Sequence, residues 1–177
     1  SSTDISEYLR SLEMYSEVSP VTMENSTRPV QLMLKTNQFN LSNKRRSEKD
    51  LESLLSNDNF TILQFRLQDK FADNGVVSVV VLEKKGEVLF IDTWVMSCRV
   101  FGRTLEFFIF NEILKFAQAN KIKVINAEYK KTEKNKLILD LLKTLNFKKT
   151  HGNEDSSLWE LNLSNFSRST YYIKEFI

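Results

Sequence analysis

The chain contains a single cysteine, a single histidine, two prolines and four glycines among 177 residues. Cys98 alone excludes an intrachain disulfide framework, and with one histidine it leaves too few soft ligands for a structural zinc site, so no metal is expected. A reducing, cytoplasmic setting fits that usage. No apolar run approaches the roughly 18 residues of a membrane-spanning helix, and the start lacks the basic-then-apolar pattern of a secretory signal, so no membrane role is expected. A formal net charge of +2 gives no strong basic field, which argues against nucleic acid as a partner. The chain starts at Ser1 without a methionine, which predicts a processed protein or a piece of a longer one. Residues 1–13, with Ile5, Tyr8, Leu9 and Leu12 at helical spacing, are read as a connector helix and 14–177 as one domain.

With glycine and proline scarce, element boundaries must come from polar clusters and changes of period. The pattern predicts a strand over 14–21, then a helix opened by Ser26 or Thr27 with Pro29 in its first turn. A polar loop over 37–46 leads to a second helix, whose Ser47 and Asp50 have near capping-box spacing. Strand-like runs over 60–67, 76–82 and 88–96 are joined by Asp73-Asn74-Gly75 and Lys84-Lys85-Gly86-Glu87, which have hairpin composition. Leu105, Phe108, Ile109, Ile113 and Phe116 then recur at helical spacing. A strand over 122–129, a helix carrying Ile138, Leu141, Leu142 and Leu145, and a last hairpin over 148–163 complete the order.

The apolar run 88–96 ends in Arg99-Val100-Phe101-Gly102-Arg103-Thr104, and an amphipathic run follows at once. A strand, a glycine-containing turn and a helix start bring backbone N–H groups together on an anion, so this stretch points to a phosphate-bearing ligand. Ser97, Arg99, Val100, Phe101, Gly102, Arg103 and Thr104 are its candidate residues.

The order of elements resembles the Gcn5-related N-acetyltransferase (GNAT) fold over nearly the whole chain. Arg99-x-x-Gly102-x-Thr104 resembles that family's acyl-CoA pyrophosphate loop, Gln/Arg-x-x-Gly-x-Gly/Ala. Asn135-x-x-Ile138 through Leu145-Asn146-Phe147 resembles its N-x-x-A-x-x-F-Y-x-x-L-G-F helix. The resemblance implies an α/β (α+β) architecture, a mixed, mostly antiparallel sheet with helices on both faces. It also implies a coenzyme A or phosphopantetheine thioester between strands 88–96 and 122–129, with Asn135 among the ligand-binding residues. A closer similarity joins Tyr8-Leu-Arg-Ser-Leu-Glu-Met14, Lys35-Thr-Asn-Gln-Phe-Asn40, Asp69-Lys-Phe-Ala-Asp-Asn-Gly75 and the run from Asp92 to Arg103 to the C-terminal part of FkbH-like proteins. That similarity implies an acyl carrier protein as partner, a HAD-type domain upstream, and a pathway such as glyceryl or methoxymalonyl-type extender-unit synthesis. No Asp-x-Asp-x-Thr motif occurs, so the phosphatase chemistry is not assigned to this chain.

Within the two strands flanking the implied slot, Asp92 and Glu128 are the only acids, which makes them candidate general bases, Asp92 ahead because an acid in an apolar strand needs a partner. A purely structural carboxylate is the competing reading. A backbone N–H near residues 94–97 is the expected donor to the thioester carbonyl. Leu142 stands where many GNAT members carry a tyrosine that protonates the leaving thiolate, and Thr104 replaces a glycine. Cys98 reads either as an acyl-accepting thiol beside a helix N-terminus or as a small buried side chain. Nine lysines between Lys121 and Lys149 face Glu128, Glu133 and Asp140, a solvated face or a docking surface for an acidic carrier. The loop from Lys35 to Asn40 is expected to shape an acceptor pocket. Two function classes follow: an acyltransferase-like domain binding an acyl thioester, or a non-catalytic carrier-binding module serving a HAD-type domain.

Overall fold

The computed structural model describes residues 1–166 and 168–175, so the expected domain over 14–177 ends in two residues, Phe176 and Ile177, that lie outside the described residues, as does Ser167. Helix α1 (Ser2–Ser11) leads into strand β1 (Met14–Pro20), followed by α2 (Thr27–Lys35), the two-residue strand β2 (Phe39–Asn40) and α3 (Glu48–Leu55). The meander β3 (Phe60–Gln68), β4 (Asp73–Lys85) and β5 (Val88–Met96) comes next. It is followed by α4 (Leu105–Ala119), β6 (Val124–Lys130), α5 (Lys136–Thr144), β7 (Lys148–Gly152), β8 (Ser156–Asn162) and β9 (Ile173–Glu175). The sheet runs β7-β8-β6-β5-β4-β3-β1-β9, antiparallel except where β5 meets β6 and β1 meets β9. No helix among the described residues is long and apolar enough to cross a membrane.

Alternation in β4 divides the core. Val80 and Leu82 turn to the face covered by α1, α4 and α5, while Val79 and Val81 turn to the face covered by α2 and α3, so helices lie on both faces as expected. Residues 1–13 do not stand away from the domain: Leu9 and Leu12 are buried in the larger core. Helix α3 opens with the Ser47–Asp50 capping box. In α2 the expected cap is absent, because the Ser26 hydroxyl donates to Glu48 Oε2 at 2.7 Å.

One irregularity positions the functional region. Between Ile91 and Thr93 the β4–β5 register slips, leaving Asp92 as the extra residue of a β-bulge. The slip reverses the parity of the strand, so Leu89 and Ile91 before it and Trp94 and Met96 after it all enter the α4/α5 core. The same place ends the parallel pairing of β5 with β6, which spans only Val88–Ile91 against Val124–Ala127. Beyond it the two strands diverge.

Candidate functional site

The gap between β5 and β6 is filled by the chain itself. Strand β2 pairs antiparallel with the end of β5, Phe39 against Met96 and Asn40 against Val95. The Leu41 N–H then donates to Trp94 O at 3.1 Å, and Lys130 N–H on β6 donates to Leu41 O at 3.1 Å. Residues 39–42 thus bridge the two strands as a short inserted strand. They are almost wholly buried, Phe39 at 1% and Leu41 at 0% exposure. Phe39 packs edge-on to Trp94 with ring centroids 5.2 Å apart.

Three anchors hold this insert. Asn135, fully buried, donates through Nδ2 to Asn40 O at 2.9 Å and Lys130 O at 2.8 Å, while its Oδ1 accepts from the Tyr129 hydroxyl and the Thr132 N–H. Its amide is saturated by these contacts inside the fold. Burial alone would push the Tyr129 hydroxyl up, and the nearby Asp140 charge adds to it. The second anchor is Asp92, whose carboxylate takes Lys44 Nζ at 2.7 Å, Arg46 Nη2 and the Thr93 hydroxyl, while its carbonyl accepts from the Ser42 hydroxyl. Burial raises the Asp92 carboxyl, but those hydrogen bonds and the Arg46 and Lys44 charges outweigh it and hold the group below the usual range. A carboxylate so held accepts a proton poorly, so this geometry favours the structural reading of Asp92. The third is Arg45, whose guanidinium caps the end of α2 through Met33 O, Leu34 O and Thr36 O and ties in Asn37 and Asn43.

The loop expected to cradle phosphate is also engaged internally. The Ser97 N–H donates to Val77 O at 2.7 Å, so it is not free for a thioester carbonyl. Arg103 pairs with Asp69, whose carboxylate also accepts the Phe71 and Ala72 N–H groups. Burial raises Asp69, and those contacts more than reverse it. Thr104 sits in the left-handed region, φ 65°, and its hydroxyl accepts the Tyr172 N–H at 3.1 Å instead of capping α4. Val100 is buried in the core. Arg99 remains exposed, with one contact to Asn74 O at 3.4 Å.

Two cavities flank the insert, and Phe39, Met96 and Phe101 line both. The first, about 480 Å³, lies between α2 and the 97–101 turn, and Arg28, Lys35, Lys134, Ser97 and Cys98 open onto it. The second, about 300 Å³, is the cleft between the start of α4 and α5, lined by Gly102, Glu106, Leu137 and Leu141. Cys98 is exposed, not buried as one sequence reading had it. The Lys35-to-Asn40 loop does shape a pocket, the first cavity. Neither Asp92 nor Glu128 lines either one; Glu128 lies exposed on β6 opposite Leu158. The acid that does line one is Glu106, which the sequence reading passed over. Burial pushes its carboxyl up against the pull of its own N–H, and Oε2 has no partner among the described residues. Its sequence signal was an acid in the first turn of the helix that follows the glycine loop. Leu142, fully buried, sits in the core where a proton donor was sought.

At the level of sequence, no protein-family model and no curated protein matches the chain. Solved structures do. A domain from Methanocaldococcus jannaschii DSM 2661 superposes with a TM-score of 0.67 at 16% identity, over 84% of this chain and 99% of its own. The ribosomal-protein-S18-alanine N-acetyltransferase from Escherichia coli gives 0.65 at 12% identity, over 88% and 99%. The PaiA N-acetyltransferase from Thermoplasma acidophilum, solved in complex with coenzyme A, gives 0.66 at 11% identity, over 83% and 98%. Identities this low carry the fold: the chain has the architecture of the GNAT acetyltransferases.

Proposed function

We propose that the chain is a carrier-binding module with an acyltransferase fold, whose thioester slot its own residues 39–42 keep closed. The single observation that carries this reading is the insert between β5 and β6. A pantetheine arm entering there would exchange its amide hydrogen bonds roughly one for one with those of the insert. It would also have to expose Phe39 and Leu41, about 1.5–3 kcal/mol each. That term lowers the apparent affinity of the slot by roughly 10²–10⁴-fold.

The partner in this reading is an acyl carrier protein, docked on the lysine-rich surface of β6, α5 and β7. Lys121, Lys130, Lys134, Lys143, Lys148 and Lys149 are exposed, and none has a carboxylate within 4.0 Å among the described residues. A surface with an excess of positive charge accelerates encounter with an acidic partner. A HAD-type domain would then act on the carrier's cargo, in a pathway of the extender-unit kind. The second reading, an acyltransferase using coenzyme A or a carrier thioester, is favoured by the fold likeness and requires residues 39–42 to leave the slot.

Titration with an acyl carrier protein and, separately, an acetyl-CoA transfer assay test the choice. Carrier binding should weaken at least tenfold in a Lys143→Glu, Lys148→Glu, Lys149→Glu triple variant, and acetyl-CoA turnover should stay at background. Transfer above background by the unmodified protein would restore the acyltransferase reading. Carrier affinity unchanged by the triple variant would remove the docking surface.

A further inference from the structure

The cavity between α2 and the 97–101 turn combines a volume of about 480 Å³ with three cationic side chains, Arg28, Lys35 and Lys134, and no acid in its lining. None of the three has a carboxylate within 4.0 Å among the described residues. Arg28 is half-buried and uses only Nε, on Val76 O at 3.2 Å, so the planar fork of its two terminal nitrogens has no acceptor among the described residues. Burial lowers its pKa, and the charge of Arg99 lowers it further, the mark of positive groups crowded without a counter-charge. An anion in the cavity relieves that crowding. Leu32, Phe39, Met96 and Phe101 give the lining an apolar part, and Gln31, Asn37 and Gln38 add amide groups.

We infer that this cavity is a binding site for a phosphate monoester on a short amide- or hydroxyl-bearing chain, its phosphate held by Arg28, Lys35 and Lys134. A dianion matches a guanidinium fork and two ammonium groups in charge and donor number. The ligand's chain lies against Phe39 and Met96 and passes Cys98. The site is separate from the closed slot, and the inference stands if no carrier protein docks on the lysine surface. The phosphate is that of a free monoester, because the arm of a carrier protein is joined to the protein as a phosphodiester and carries a single negative charge.

The experiment uses calorimetry with S-methyl-4′-phosphopantetheine, S-methylpantetheine and inorganic phosphate, none of which has a thiol to consume the reagent, together with alkylation of Cys98, the only cysteine of the chain and a reporter in this cavity. The phosphorylated probe should bind at least tenfold more tightly than its unphosphorylated counterpart and slow alkylation of Cys98. Arg28→Gln and Lys134→Gln should each weaken it about 5- to 20-fold, and Lys134→Gln, at an exposed residue, does so without disturbing the fold. Protection by the phosphorylated probe at concentrations where inorganic phosphate gives none shows that the chain is held as well as the phosphate, and equal protection by inorganic phosphate overturns the part assigned to the chain. Equal affinity for the two S-methyl probes, unchanged binding in both variants, or an unprotected Cys98 overturns the inference.

Discussion

The two cavities share the wall of Phe39, Met96 and Phe101 but differ in charge. The one beside α2 is lined by three cations and no acid; the cleft beside α4 is lined by one half-buried acid, Glu106, and no cation. The family resemblance assigns a phosphate to the α4 side, where a helix N-terminus carries about half a positive charge. In this chain the Glu106 carboxylate already sits in that first turn, and Arg103 is paired with Asp69. An acid thus already occupies the first turn of α4 and the neighbouring arginine is paired, while positive charge without a carboxylate partner among the described residues lines the cavity on the other side of the insert.

Removing the wall should have the largest effect. Phe39→Ala deletes a fully buried ring between the cavities and should cost about 3–5 kcal/mol in urea denaturation, joining the two spaces. A loss under about 1 kcal/mol would mean that the insert packs loosely and is easily displaced. Asp92→Asn sharpens the contrast through the insert's electrostatic anchor. It leaves Lys44 and Arg46 without their carboxylate, for about 1–3 kcal/mol, discounted because Lys44 is 37% exposed.

Its pH dependence has a definite sign. The folded carboxyl titrates below the unfolded value of about 3.9, so its contribution is complete above about pH 5. That contribution is lost as pH falls through about 4 and the depressed folded value. The unmodified protein should therefore lose stability more steeply than Asp92→Asn in that window, and parallel curves would show the ion pairs to be idle. Glu106→Gln should give the smallest change and the opposite sign. A carboxyl raised by burial opposes folding once it ionises, so the variant should gain about 1 kcal/mol at pH 8, or roughly 2–4 °C in melting temperature. The gain should vanish near pH 4, where the unmodified carboxyl is protonated. A variant no more stable at pH 8 would mean that water reaches Oε2.

The long elements were legible because their periodicity is local. β5 has the predicted bounds, α4 contains the whole apolar series from Leu105 to Phe116, and the Ser47 capping box lies where its spacing put it. Strands β2 and β9, two and three residues long, carry no period, and each is fixed by partners far along the chain. The insert was illegible for the same reason. Residues 39–42 read as part of a polar loop, since Asn40 and Ser42 show nothing of Val95, Lys130 or Asn135, the groups that make their burial tolerable. The Asn135 motif was found and its position is as expected, but an asparagine amide satisfies a ligand or a backbone equally well, and only the fold decides which. Asp92 was singled out as an acid that must have a partner, and it has two; the partners, Lys44 and Arg46, came from the loop that forms the insert.

Strand β7 forms one end of the sheet, and all five of its residues are exposed. An edge of this kind offers a row of unpaired backbone groups on which a second identical chain could add a strand. Here the edge begins with Lys148 and Lys149 and slips register at Thr150, between Lys149 and His151. A parallel in-register pair would set lysine against lysine, and the slip interrupts the straight ladder that any homotypic pair needs. The positive charge gathered at this end of the molecule thus also discourages edge-to-edge self-association, and neutralising it would exchange a soluble edge for an adhesive one.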